Sequence, residues 1–202
     1  MKLFYAPGAC SMSPHIVLEE SGLPYSIEKV DLKSKRTETG VDYITINPKG
    51  MVPALQLDDG QILTEGQAIV QYLADKVPAK KLIPPVGSLE RYRVAEWLSF
   101  IGAELHKQFG PLFHAGTSAD YRTLAQASLL KNFGYVNQQL QGKKFLVGEQ
   151  FSVADAYLFV MLSWAPHVKL DLSSLPNLGG YAAAIRQRPS VVSTLKSEGL
   201  SK

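Results

Sequence analysis

One cysteine stands in the 202-residue chain, at a position where a thiol gains chemistry. Cys10 follows an apolar stretch, Lys2 to Tyr5, that reads as a strand ending at a Pro7-Gly8 turn. It precedes a helical stretch from about Ser13 to Ser21, with Pro14 suited to the first turn and Gly22 to the stop. A sulfur at that junction feels the positive end of the helix and its unpaired N–H groups, and both favour the thiolate. Cys10-Ser11-Met12-Ser13 also has the spacing of a Cys-x-x-Cys redox motif whose second thiol is replaced by a hydroxyl. A lone cysteine is equally at home as an inert buried hydrophobe, so the reading rests on the residues around it.

Pro53, in Met51-Val52-Pro53-Ala54, adds weight. A proline at the start of a strand, just ahead of a hairpin, is either a turn residue or a cis peptide bond. In thioredoxin-like folds a cis proline faces the helix-start cysteine, and the residue before it pairs its backbone with a bound thiol. Glu65-Gly66 opens the next helix: Gly66 offers its N–H to an anion, and Glu65 accepts from an ammonium group. Lys33, Lys35 and Arg36 form a cationic loop, either a solvated charge run or the seat of a second carboxylate. Together these groups outline a zwitterionic, peptide-sized ligand with a thiol in its middle, which describes glutathione.

A second candidate lies further along. Ser99, Ala103 and His106 fall at i, i+4 and i+7, which predicts one stripe on an α-helix. An imidazole there is either a packed side chain or, if it reaches Cys10, a partner for a thiolate or its proton. The four histidines are scattered and the cysteine has no partner, so no metal site is expected. Glycine-rich nucleotide and phosphate loops are absent, and no cofactor is expected.

The elements that must position these residues come in two groups. After the first strand and helix, Tyr25 to Asp31 alternates as a strand. Val52 to Leu57 and Gln61 to Leu63 flank Asp58-Asp59-Gly60, a hairpin signal. Thr64-Glu65-Gly66-Gln67 resembles a capping box, opening a helix that Pro78 closes. Residues 1–80 thus read as a small α/β domain, and 79–87, with Pro84-Pro85 and Gly87, as a linker. From Ser88 the periodicity is helical, so 87–202 reads as an all-α domain. Tyr121 to Leu140 makes one long helix, and Ser152-Val153-Ala154-Asp155 caps another through Trp164 as a structural device.

Bulk composition excludes several classes. Hydrophobic residues make up 46% of the chain and charged ones 19%, an ordinary globular balance. A net charge of +3 without a long basic run argues against nucleic-acid binding. No stretch reaches the roughly 20 apolar residues of a membrane span, and the first residues lack a signal-peptide pattern. A single cysteine fits a reducing compartment, so a soluble cytoplasmic protein is expected.

Over nearly its full length the sequence resembles the beta class of bacterial glutathione transferases. The likeness is carried by Lys2-Leu3-Phe4-Tyr5, Pro7-Gly8-Ala9-Cys10-Ser11, Asn47-Pro48-Lys49-Gly50 and Val52-Pro53-Ala54-Leu55. It continues in Leu63-Thr64-Glu65-Gly66, Glu104-Leu105-His106-Lys107 and Ser152 through Phe159. The resemblance implies a thioredoxin-like N-terminal domain, an all-α C-terminal domain and a homodimer. It implies glutathione contacts at Cys10, Lys35, Val52, Pro53, Glu65 and Gly66, and along Ala103, Glu104, Leu105 and His106, with Cys10 and His106 catalytic. Ser99 stands where the class typically has asparagine, a shorter side chain at that contact. Tyr5 matches the tyrosine that other transferase classes use and is left outside the catalytic set. The implied activity is transfer of the glutathione thiol to electrophilic apolar compounds, with thiol–disulfide exchange through Cys10 as a companion. Phe109, Phe113 and Trp164 are candidate contacts for the second substrate, Trp164 with core packing as its main role. The alternatives are a glutathione-dependent thiol oxidoreductase, a reductive dehalogenase, or a transferase fold that only binds or regulates.

Overall fold

A computed structural model describes residues 1–201, which divide into two compact units. The first comprises Met1–Ile83 together with the chain from Arg188 onward, and the second runs from Pro84 to Gln187. The sequence suggested an all-α domain running from 87 to the end, whereas the last segment packs into the α/β unit.

The first unit is built on a five-stranded sheet in the order β3-β2-β1-β4-β5. Its strands are β1 (Lys2–Tyr5), β2 (Ser26–Asp31), β3 (Arg36–Thr37), β4 (Ala54–Gln56) and β5 (Ile62–Thr64). The central strand β1 runs parallel to β2 and antiparallel to β4, and β4 and β5 form the expected hairpin. Because side chains alternate across a strand, Phe4 joins Val30, Tyr43, Val52 and Ala54 in one buried cluster. Leu3 and Tyr5 are buried too, so β1 is covered on both faces.

Helix α1 (Met12–Ser21) is nearly all buried: Met12 through Leu18 are enclosed. A helix without a wet face needs cover on several sides. Helix α2 (Gly66–Asp75) supplies part of it, and α8 (Pro189–Ser197) supplies more from the end of the chain. The last contact is polar at its margin. Glu198 accepts the Gly8 N–H at 2.8 Å and pairs with His15 Nδ1 at 2.8 Å, both side chains wholly buried. Glu20 on α1 accepts from Arg188 Nε at 2.8 Å and from Ser190 Oγ at 2.6 Å.

The second unit is helical, with α3 (Leu89–Phe100), α4 (Lys107–Phe113), α5 (Ala119–Gln139), α6 (Val153–Trp164) and α7 (Pro176–Arg186). Ser88 caps α3 by accepting from Arg91 N, and Ser118 caps α5 by accepting from Tyr121 N. Helix α6 is apolar all round and buried at every position but Ser163. Its cap is the expected one: Asp155 Oδ2 accepts from the Ser152 N–H and hydroxyl, both at 2.8 Å. Asp155 Oδ1 further accepts from Leu146 N at 2.9 Å and from Tyr181 OH at 2.8 Å. No helix among the described residues is long and apolar enough to cross a membrane.

Four donors converge on one buried carboxylate, so Asp155→Ala leaves them all without a partner. The expected loss is at least roughly 3 kcal/mol in denaturant unfolding, against about 1 kcal/mol for Ser152→Ala, which deletes a single hydroxyl. Equal losses in the two variants contradict the convergence.

Candidate active site

Cys10 lies in the loop between β1 and α1, and the loop is closed by its own polar groups. Ser11 Oγ accepts the Ala6 N–H at 3.1 Å and donates to the Ala6 carbonyl at 3.3 Å, while the Ala9 N–H donates to the same carbonyl at 3.0 Å. With the Gly8 N–H on Glu198, the loop has little freedom. The sulfur ends up beside the start of β4: Cys10 Sγ donates to the Val52 carbonyl at 3.2 Å. The Val52–Pro53 bond is cis, the reading the sequence favoured over a simple turn proline.

This environment reverses one expectation. The sequence placed the thiol where the helix end lowers its pKa, yet burial pushes it up to about 11. The N–H groups of Cys10 and Ser11 do pull it down, but desolvation is larger, and the Glu65 carboxylate raises it further. The bond to Val52 acts in the same direction, because only the protonated thiol can donate it. At neutral pH Cys10 is a thiol. Tyr5 follows the same rule: burial, with Glu198 and Glu38 behind it, raises its phenol and keeps it neutral.

Two of the expected ligand contacts, Val52 and Pro53, lie on a main-chain segment held by side chains. Tyr43 OH and Asn47 Nδ2 both donate to the Met51 carbonyl, at 2.8 and 2.7 Å, and so hold the chain entering Val52-Pro53. Lys35, with a left-handed φ of 56°, lays its ammonium on the Gly50 carbonyl at 2.7 Å. Gly50 also has positive φ, and a Cβ there would meet Ile44 Cδ1 at 3.0 Å, which explains glycine at the end of Asn47-Pro48-Lys49-Gly50. Lys33 and Arg36 are exposed and bond only locally, the former through its N–H to Asp31, the latter to the Gly40 carbonyl.

Glu65 departs from the capping box suggested by the sequence. The residue at the N-cap of α2 is Glu65 itself, without a side-chain cap, and its φ of 69° and ψ of 112° are unfavourable for any residue but glycine. Strain of this kind costs of order 1–3 kcal/mol and persists where the surroundings impose it, characteristically at ligand sites. Its carboxylate is exposed and paired with Lys49, whose ammonium also donates to Thr64 Oγ1 at 2.9 Å. Lys49 is a member of the charge pattern that the sequence reading did not single out. Gly66 packs near Pro53, and its first-turn N–H has no intrahelical acceptor.

In the second unit the expected stripe is interrupted. Ile101–His106 forms a π-turn between α3 and α4, the Lys107 N–H reaching five residues back to Gly102. The extra residue in that turn breaks the i, i+4, i+7 register that put Ser99, Ala103 and His106 in line. Asn132 on α5 steadies the turn by donating to the Glu104 carbonyl at 2.9 Å. Ser99, Ala103 and Glu104 are exposed, whereas Leu105 is wholly buried. His106 is half-buried, with Nδ1 at 2.6 Å from Tyr157 OH. Beside it, Trp164 and Phe109 meet edge to face, and Phe113 stacks on Phe109 at 6.1 Å. Of the three aromatics proposed for a second substrate, Phe109 and Trp164 are core and Phe113 remains open, 51% exposed.

Comparison with known proteins fits both units. The model of the glutathione S-transferase N-terminal domain matches residues 8–76, and that of the C-terminal domain matches 100–189. The chain is 50% identical to the glutathione S-transferase GstA of Escherichia coli O157:H7, over 99% of this chain and 100% of that one. It belongs to the glutathione S-transferase family. Among solved members of this family, the bacterial beta class glutathione S-transferase of Sphingomonas chungbukensis is 50% identical, with a TM-score of 0.97 and full coverage of both chains. A sphingomonad glutathione S-transferase complexed with glutathione is 49% identical, with a TM-score of 0.96 and full coverage of both.

The Cys10 environment fixes the direction of a pH experiment. Iodoacetamide should alkylate Cys10 with a rate still rising above pH ~9, where an ordinary thiol near ~8.5 is already levelling off. The linked effect on stability has one sign. A thiol harder to ionise when folded leaves stability untouched below the ordinary thiol range and lowers it as pH climbs towards about 11. A rate profile centred at or below ~8.5 contradicts the burial argument.

Proposed function

We propose that this chain is a glutathione transferase that adds the glutathione sulfur to electrophilic apolar compounds. The observation that carries the reading is the full-length likeness to a family member solved with glutathione. The chemistry of the first unit agrees. A zwitterionic tripeptide finds a main-chain strand to pair with at Val52 beside Pro53. A carboxylate finds the first-turn N–H of Gly66, an ammonium finds Glu65, and Lys35 is held ready for a second carboxylate. Ser99, Ala103, Glu104, Leu105 and His106 complete the proposed contacts, and His106 shares the catalytic role with Cys10. Glutathione is a co-substrate, no metal or further cofactor is invoked, and the working form is a homodimer in the cytoplasm. Detoxification of electrophiles is the proposed role.

The state of Cys10 separates conjugation from the alternatives. Thiol exchange and dehalogenation through Cys10 both need its thiolate, which burial makes scarce at neutral pH. Conjugation instead uses the glutathione sulfur as a thiolate whose proton has passed to solvent; it attacks the electrophilic carbon while the leaving group departs with the bonding electrons. A protonated Cys10 then serves as a hydrogen-bond donor to that sulfur once its S–H turns from the Val52 carbonyl.

Turnover of glutathione with a chloronitrobenzene acceptor, run beside a disulfide-reduction assay, tests this division. Conjugation should dominate and survive in part in Cys10→Ala. Disulfide reduction without conjugation would instead identify an oxidoreductase. Calorimetry checks the binding residues: Lys35→Ala and Glu65→Ala should each weaken glutathione by roughly ten- to a hundredfold, the worth of a charge-assisted contact. Light scattering should report about twice the subunit mass of 22.1 kDa.

A further inference from the structure

Tyr157 is absent from every role assigned so far, and its hydroxyl meets His106 at 2.6 Å. We propose that Tyr157 fixes the neutral His106 imidazole with its proton on Nε2, making His106 a hydrogen-bond donor to the substrate sulfur and not a base. The proposal rests on the reading above for the identity of that sulfur, while the tautomer rests on the second unit alone.

A contact of 2.6 Å between Tyr157 O and His106 Nδ1 can run in either direction: O–H to nitrogen, or N–H to oxygen. Acidity favours the first, because a phenol with a pKa near ~10 gives a proton to a hydrogen bond far more readily than a neutral imidazole N–H does. With Tyr157 as donor, Nδ1 is the acceptor, and the one ring proton of the neutral form resides on Nε2.

Two features keep the arrangement from reversing. Tyr157 is 6% exposed on α6, a helix enclosed on nearly every side, so its hydroxyl has no room to turn away. The imidazole is bracketed edge-on by Tyr157, ring centres 5.8 Å apart, and by Trp164 at 5.0 Å. Flipping the ring would put a carbon against the Tyr157 hydroxyl and forfeit the bond. An Nε2–H held in this way has no lone pair with which to take a proton. It can stabilise negative charge on sulfur by donation, which selects one of the two roles the sequence left open for His106.

Nitrogen-15 spectra of the labelled whole chain, recorded without glutathione at a pH where imidazoles are neutral, read the tautomer directly. The His106 resonances, assigned by their loss in His106→Gln, should show a protonated Nε2 and a bare Nδ1. In Tyr157→Phe they should move towards a mixture. A protonated Nδ1 in the wild-type chain, or spectra unchanged in Tyr157→Phe, overturns the proposal. Turnover tests the donor role independently of Tyr157. His106→Gln places an amide N–H near the Nε2 position and should keep kcat within about tenfold of wild type. His106→Asn, which reaches only the Nδ1 position, should fall as far as His106→Ala, with KM for glutathione little changed in all three. Gln as inactive as Ala returns His106 to a base and defeats the donor role. A confirmed tautomer with wild-type turnover in His106→Ala would show instead that His106 lies outside glutathione chemistry, while Tyr157 still sets its proton.

Discussion

The Cys10 loop depends on a carboxylate from the far end of the chain. Glu198 sits wholly buried between the Gly8 N–H and His15 Nδ1, and a buried carboxylate without such partners would cost several kcal/mol. The relation is mutual. The loop needs an acceptor for a backbone N–H that no strand or helix satisfies, and Glu198 needs donors to be tolerated inside. Helix α8 therefore does two things at once: it covers an α1 that has no wet face, and it carries the last turn that brings Glu198 to the loop. Ordering the end of the chain and ordering the turn before Cys10 become one event.

Desolvation against hydrogen bonding is the contest that sets the chemistry of this loop. The backbone N–H groups of Cys10 and Ser11 are the helix-end donors that a sequence reading anticipates, and they do act on the sulfur. Burial outweighs them, because losing water penalises the full charge of a thiolate while two amides replace only part of its solvation. The same donors remain in place for another sulfur anion, one that arrives already ionised. A site that keeps its own thiol protonated and still presents N–H groups suits a substrate thiolate better than an enzyme nucleophile.

Much of the first unit was legible in the sequence, since its signals are local. The Asp58-Asp59-Gly60 turn, the Gly22 helix stop and the Pro53 strand start each depend on residues within a few positions, and each stands as expected. The Ser152–Asp155 cap was legible for the same reason. What escaped depends on distant partners or on small displacements of register. Nothing near Glu198 marks it as a buried partner of His15, because the two meet only after the whole chain has folded. Lys49 lay inside a recognised motif, yet its pairing with Glu65 required the strained N-cap of α2 to be known. The π-turn at Ile101–His106 adds one residue to a turn and leaves no compositional trace beyond Gly102, so helical spacing counted across it misaligns Ser99 with His106. The sign of the Cys10 shift was missed because enclosure is a tertiary property, while helix-end polarity can be read from order alone.

Helix α6 shows how a residue with no motif of its own acquires a precise task. An apolar segment buried all round is an expensive place for a phenol hydroxyl unless that group finds a partner. Tyr157 finds it in His106, one turn of chain that would otherwise be a smooth continuation of α3 into α4. The π-turn frees His106 from the helical register, and Asn132 meets part of its cost by satisfying the Glu104 carbonyl. The rigid partner then restores the orientation that the irregular turn gave up. A side chain on an irregular turn is only as well placed as the element it leans on, and α6 is fixed at its start by four hydrogen bonds to Asp155. The capping box and the imidazole thus share one helix, with the Asp155 bonds at its start and the Tyr157 hydroxyl, partner of His106, one turn further along it.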